Sequence, residues 1–146
     1  MLVRISISLL LSLLGFLSRA QESVPDTISK GVSIHVSVPK IESNKGKVYF
    51  ALYDSEKNFL LKIPFQKTVG TIVNHATEVT FRDIPEGTYA ILCFHDRNDN
   101  HKLDFEGFRP VEDYGASNNP VVYGPPQFDL SRFTVADENL DLTITF

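Results

Sequence analysis

The feature that most constrains the fold is the strict alternation of apolar and polar residues in short segments. In residues 32–38 (VSIHVSV), every second residue is valine or isoleucine, with serine or histidine between them. A period of two places all the apolar side chains on one face of an extended strand. Beyond residue 30 no helical repeat lasts longer than one or two turns. This chain must therefore bury its apolar surface between sheets.

Further strand segments follow, separated by turn residues such as Ser43-Asn44-Lys45-Gly46. They are residues 47–53, 71–73, 78–81, 89–94, 133–135 and 140–146. Residues 89–94 are apolar on both faces, which indicates an interior strand. About seven short strands predict an all-β fold, an antiparallel β-sandwich of the transthyretin-like or Greek-key type.

The N-terminal segment predicts export. One arginine precedes an apolar run over residues 7–17, and small residues at 18 and 20 fit a signal-peptidase site. The run is shorter than the ~20 residues of a membrane-spanning helix, and no cysteine offers a lipid-attachment site. An uncleaved anchor is the alternative. We expect a signal peptide over 1–20, a loose tail over 21–30, and one secreted or periplasmic domain over 31–146.

The charge balance limits the class of partner. The chain has 18 acidic and 14 basic residues, a net charge of −4. Loss of residues 1–20 removes two arginines, leaving 12 basic against 18 acidic residues, or −6. An acidic domain gains nothing from polyanions. We therefore expect neither nucleic-acid binding nor membrane insertion after cleavage. Cys93 is the single cysteine and alternates with Ile91, which predicts a buried thiol and no internal disulfide.

One turn carries a fold resemblance. Residues 81–91 (FRDIPEGTYAI) resemble the Phe-x-Asp-Leu-Pro-x-Gly-x-Tyr turn of transthyretin-like and carboxypeptidase-regulatory-like sandwich modules. Pro85 fixes φ for the reversal, and we expect Gly87 to supply a positive φ. Tyr89 should bury its ring and hydrogen bond through its hydroxyl group.

The segment FHDRNDNHKLD, residues 94–104, predicts a calcium loop. Counted from Asp96, oxygen-bearing side chains fall at positions 1, 3, 5 and 9, and short Asp and Asn side chains can converge on one cation. The candidate ligands are Asp96, Asn98, Asn100, the main-chain carbonyl of Lys102, Asp104 and Glu106. His101 occupies position 6, where glycine is usual, and Gly107 occupies position 12, where a glutamate is usual. A grafted calcium loop between strands is expected, and a solvated Asx-rich turn is the alternative.

A second resemblance covers most of the chain. The strings GTYAILCFHDRNDNHKLDFEGFRPVEDYGASNN and GPPQFDLSRFTV resemble the bacterial domain-of-unknown-function family 2141 over roughly residues 31–146. The resemblance implies a small exported β-sandwich and brings no established activity. His101 and Asp113 replace two glycines of the family pattern, which bears on the tightness of the loop.

These features predict a non-catalytic module of the cell envelope, with calcium in the 96–106 loop and a protein or glycan as partner. In the glycan alternative, the 105–128 loop binds a sugar. Its candidate ligand-binding residues are His95, Tyr114, Asn118, Asn119 and Tyr123. A hydrolase using His95 or His101 with Asp99 or Glu106 is less favoured, because these groups lie on one loop without a closed cleft. A zinc site at the two histidines lacks a full set of nitrogen or sulfur ligands, and His95 is expected to hydrogen bond the loop backbone.

Overall fold

The computed structural model describes residues 31–121 and 124–146. The predicted signal peptide and tail lie outside these residues. The described part contains ten strands and two short helices. They are β1 (Val32–Val38), β2 (Lys47–Tyr53), α1 (Glu56–Leu60), β3 (Gln66–Thr71), β4 (Thr77–Ile84), β5 (Gly87–Asp96), β6 (Phe105–Glu106), β7 (Arg109–Pro110), β8 (Tyr114–Ala116), α2 (Phe128–Ser131), β9 (Phe133–Val135) and β10 (Leu140–Thr143).

Two sheets pack face to face. The small sheet has the order β10-β1-β4, and the large sheet has the order β3-β2-β5-β8 with β9 also paired to β5. The β6–β7 hairpin stands apart from both. The predicted all-β sandwich is therefore confirmed, and β5 is an interior strand as expected.

The alternation in the sequence explains the core. In β1 every second residue is buried, beginning with Val32, and Ile34 is wholly buried. Phe50 of β2, Phe81 of β4 and Ile91 of β5 meet it in one continuous cluster between the sheets. Each such side chain contributes about 1.5–3 kcal/mol when it leaves water.

Three details differ from the sequence-based prediction. Strand β10 pairs with β1 in parallel, from Ile34 opposite Leu140 to Ser37 opposite Thr143, where an antiparallel sandwich was expected. The predicted strand at 71–73 lies instead at Gln66–Thr71, and Val73 forms only an isolated bridge with Ala76. The strand count exceeds seven because the segment after β5 forms β6, β7 and β8. Alternation predicts which face of a strand is buried, but it does not predict the direction of the neighbouring strand.

The turn before β5 also differs in one residue. Gly87 is not in the left-handed region, and Asp83 is, with φ of 57°. Gly87 is needed for space, because a Cβ there would lie 3.1 Å from the ring of Tyr89. The prediction for Tyr89 is confirmed: its ring is buried and its hydroxyl group donates to the carbonyl oxygen of Pro85 at 3.1 Å. Within the described ranges, no helix has the length and apolar character to cross a membrane.

Candidate functional site

The polar loop begins where β5 ends. Asp96 is the last residue of β5, lies opposite Lys47 of β2, and is wholly buried. Gly46 precedes β2 with φ of 72°, and a Cβ on it would overlap the main-chain carbonyl oxygen of Asp96. The β1–β2 connection therefore packs directly on the start of the loop.

Two main-chain N–H groups donate hydrogen bonds to the buried carboxylate of Asp96. Asp96 accepts from the amide of Asn100 at 3.1 Å and from that of His101 at 2.8 Å. The backbone reaches this geometry through left-handed residues, Asp99 with φ of 57° and His101 with φ of 65°. A buried carboxylate without such donors would be strongly unfavourable. The loop therefore curls around Asp96.

The next three polar side chains converge. The amide groups of Asn98 and Asn100 both donate to the carboxylate of Asp104, at 2.7 Å and 2.9 Å. The side-chain oxygen of Asn98 accepts from the main chain of Asn100 at 3.1 Å, and that of Asn100 accepts from Lys102 at 2.9 Å. These bonds bring the side chains at positions 3, 5 and 9 of the predicted calcium loop together, with the amide nitrogen atoms of Asn98 and Asn100 facing the carboxylate of Asp104.

A second buried carboxylate, that of Glu112, joins the two ends of the loop. Glu112 accepts from the main chain of Arg97 at 2.8 Å and from that of Asp104 at 3.2 Å. The β6–β7 hairpin returns the chain to this position. There the main-chain N–H of Val111 donates to the main-chain carbonyl oxygen of Asp104 at 3.0 Å. Sequence reasoning missed Glu112, because only the hairpin brings residue 112 beside residue 97. The one signal in the sequence is that the acidic Glu112 directly follows Pro110 and Val111.

Arg97 clamps the outside of the loop. Its guanidinium group lies 3.1 Å from the carboxylate of Glu42 and also donates to the main-chain carbonyl of Val111. Two other predicted ligands are placed differently. Lys102 is exposed, and its main-chain N–H donates to the side chain of Asn100, whereas Glu106 is exposed in β6. Over residues 31–121 and 124–146, no hydrogen bond joins Glu106 to the loop.

The donor set fits a hard cation better than zinc. The converging side chains are two carboxylates and two amides, all of which carry oxygen, the atom that calcium prefers. In the part of the chain that the structure describes, no three His, Cys, Asp or Glu side chains form a metal-binding group. Any calcium ion here would depend on amide, main-chain and water oxygens for much of its coordination.

The two histidines do not meet. His95 is wholly buried, and its Nε2 lies 2.7 Å from the carbonyl oxygen of Lys45, so Nε2 carries the proton. Its ring is parallel to that of Phe146, and the two ring centroids are 6.5 Å apart. His101 instead hydrogen bonds through Nδ1 to the hydroxyl group of Tyr49. Cys93 is buried as the alternation predicts, and burial raises the pKa of its thiol.

The candidate glycan ligands have structural partners. Asn118 donates to the carbonyl of Arg132 at 2.7 Å, and Asn119 donates to that of Thr143 at 2.8 Å. Tyr114 lies in β8 opposite Phe94. Tyr123 lies outside the described residues.

Comparison with known proteins adds one finding. Residues 36–143 match the profile of the family described as uncharacterized proteins conserved in bacteria, DUF2141. Among curated proteins and among solved structures, nothing matches the chain. The match spans 108 of 146 residues and includes both sheets and the polar loop. The chain therefore belongs to the DUF2141 family.

Proposed function

We propose that this chain is an exported, non-catalytic β-sandwich module whose 96–106 loop binds one calcium ion. The observation that carries the proposal is the convergence of Asn98, Asn100 and Asp104 beside the buried carboxylate of Asp96. The bound ion would supply positive charge between two carboxylates and would fix the loop for contact with an envelope partner.

This chain's own residues would divide that task. Asp96 and Asp104 offer charged oxygens, and Asn98 and Asn100 offer amide oxygens once their amide groups turn. Lys102 offers its main-chain carbonyl. Glu106 is left out, because it lies in the exposed β6–β7 hairpin. Glu112 and Arg97 are positioning residues that hold the two ends of the loop together.

The absence of catalysis is part of the proposal. A hydrolase needs a base, a nucleophile and an orienting group in mutual contact. His95 is occupied by a main-chain carbonyl inside the core, and His101 is bonded to Tyr49 on the other side of β5. Glycan binding gains little support, because Asn118 and Asn119 already bind the main chain of α2 and β10 segments.

The test of calcium binding is a melting experiment on the mature protein. Calcium at ten times its Kd stabilises the native state by about 1.4 kcal/mol, which raises Tm by several degrees. Asp104→Asn removes one charged oxygen from a half-buried site and should abolish most of that rise. Asp99→Asn is the matched control, since Asp99 is exposed and outside the converging set. Equal Tm in calcium and in chelator for the unmodified protein would refute the calcium proposal.

Export has its own test. The spacing of small residues at 18 and 20 motivates cleavage after Ala20. Mass spectrometry of protein recovered from the periplasm or medium should give a chain that begins at Gln21. Recovery of a chain that retains residues 1–20 would contradict it.

A further inference from the structure

The outer face of the large sheet carries a broad apolar groove. Two adjoining cavities of about 630 Å³ and 800 Å³ lie on it. Their shared lining residues are Tyr53, Lys62, Leu92, Phe94, Leu103 and Phe105. Volumes of ~300–1,000 Å³ are typical of small-molecule sites. The groove lies on the opposite face of β5 from the sandwich core.

Strand register explains why this face is concave. One row across the sheet holds Val69, Tyr49, Phe94 and Tyr114, all large side chains. The next row holds Lys67, Ala51, Leu92 and Ala116, of which two are alanines. Ala51, which lines the larger cavity, leaves a depression beside the ridge formed by the stacked rings of Tyr49 and Phe94, whose centroids are 5.4 Å apart.

Two elements form the walls. Phe59 and Leu60 of α1 stand on one side, and Phe105 and Phe108 of the β6–β7 hairpin region stand on another. Phe105 is 56% exposed and Phe108 fully exposed. Large aromatic side chains that are exposed to solvent at the edge of a groove commonly mark a binding site.

The charged side chains that line the groove all have one sign, and Glu106, which lies opposite Arg109 in the β6–β7 hairpin, is outside the lining. The two linings include four basic residues, Lys62, Lys67, Lys102 and Arg109, and not one Asp or Glu. The chain as a whole has 18 acidic and only 14 basic residues. An apolar groove whose charged lining residues are all basic complements a molecule that carries an apolar body and a negative head group.

We propose that this groove binds an anionic amphiphile: one molecule with an apolar chain or ring system and a single carboxylate, sulfonate or phosphate head. The apolar body would lie over Leu92 and Phe94, and the head would face Lys62 and Arg109. A glycan fits less well, because the lining is made mainly of Phe, Leu, Tyr and Pro side chains. This inference goes beyond the calcium proposal. The sheet itself forms the floor of the groove, and Lys102, Leu103 and Phe105 of the 96–106 loop contribute to its lining.

The first experiment compares two fluorescent probes that share one ring system. 8-Anilino-1-naphthalenesulfonate carries a negative charge, and N-phenyl-1-naphthylamine is neutral. Titrated into the mature protein, the charged probe should bind with one site and at least about tenfold tighter than the neutral probe. Monomeric decanoate should displace it, and decanol should displace it poorly. Equal affinity for the two probes, or no saturable binding, would overturn the proposal.

Variants locate the site. Lys62→Glu with Arg109→Glu reverses two exposed charges and should weaken binding of the charged probe by about tenfold or more, with little effect on the neutral probe. Arg82→Glu is the matched control, because Arg82 is exposed on β4 of the small sheet. Phe105→Ser should weaken both probes, whereas Val73→Ser, also exposed but outside the groove, should weaken neither. Equal effects of the groove and control variants would overturn the assignment.

Two further experiments distinguish a free amphiphile from a membrane surface and distinguish the groove proposal from the calcium proposal. Sedimentation with phosphatidylglycerol vesicles, without displacement of the probe by monomeric decanoate, would mean a membrane-docking surface and would overturn the proposal. All titrations are repeated in chelator and in calcium. Charge-selective binding in both conditions supports the groove even if calcium has no effect on Tm. Loss of probe binding in both conditions refutes the groove and leaves the calcium result unaffected.

Discussion

Two buried carboxylates determine the shape of the polar loop. Asp96 and Glu112 each accept hydrogen bonds from two main-chain N–H groups. Removing one such acceptor leaves a part-buried main-chain donor without this bond, which is unfavourable. These residues therefore stabilise the loop independently of any ion.

Glu112→Gln tests this at the level of one atom. A glutamine keeps the shape but presents an NH₂ group to one of the two main-chain donors. We expect a loss of about 1–3 kcal/mol in the free energy of unfolding, measured by chemical denaturation. Glu106→Gln is the matched control and should stay within about 0.5 kcal/mol. Equal stability of the two variants would show that Glu112 does not support the loop.

Two left-handed glycines give a second test at this scale. Gly46 has φ of 72° and faces the carbonyl oxygen of Asp96, whereas Gly107 has φ of 62° and a Cβ added there would have no atom within 4 Å. Gly107→Ala should cost only the backbone term of roughly 1–2 kcal/mol. Gly46→Ala should cost clearly more, because the loop must also move. Thermal denaturation of both variants decides the matter, and similar losses would contradict close packing at Gly46.

Among the elements, β8 and β10 are joined by side chains as well as by packing. Asn119 follows β8 with φ of 47°, donates to the carbonyl of Thr143 and accepts from the amide of Thr145 at 2.7 Å. Ser117 binds the main chain of Ile91 at 2.9 Å. The Ser117-Asn118-Asn119 segment thus connects β5, α2 and the C-terminal strand.

Asn119→Ala should release that connection. The loss of two main-chain partners predicts a destabilisation of about 1–3 kcal/mol and faster hydrogen exchange of the β10 amides. Asn74→Ala is a close control, because Asn74 is also left-handed, with φ of 51°, and exposed. It should change neither β10 exchange nor stability beyond the effect of its backbone conformation. Unchanged exchange in Asn119→Ala would contradict the connection.

For the whole molecule, the C-terminal residues close the sandwich. Ile144 is wholly buried, and its amide donates to the carbonyl of Ser37 at 2.9 Å. On the other side, a Cβ at Gly115 of β8 would lie 2.6 Å from the Ile144 side chain. One side chain thus contacts both sheets, and the parallel β1–β10 pairing places it there.

Ile144→Ala should therefore have a large effect. The cavity and the lost transfer energy predict a destabilisation of about 2–5 kcal/mol, seen as a lower midpoint in a denaturant titration. Thr143→Ala, one residue earlier and exposed, should cost little. A small loss for Ile144→Ala would mean that the two sheets pack without it.

Some of this architecture was readable from the sequence, and the reason is local. The alternation of Ile34 and its neighbours encodes the buried face of β1, and the positions of Asp96, Asn98 and Asn100 encode a curled polar loop. His101 occupies the position where calcium loops usually carry glycine, and its φ is positive, at 65°. Such features depend on a few adjacent residues, whose backbone geometry and hydrogen bonds are fixed by short-range physics.

Local patterns of residues are enough to predict the all-β class, the interior strand β5 and the buried thiol of Cys93. The parallel pairing of β10, the support of the loop by Glu112 and the basic lining of the outer groove arise from contacts between distant segments. Lys62 and Arg109 are separated by 47 positions, and no local pattern relates them. Both line one cavity, because residues distant in the chain come to border the same space only when the strands and the hairpin pack.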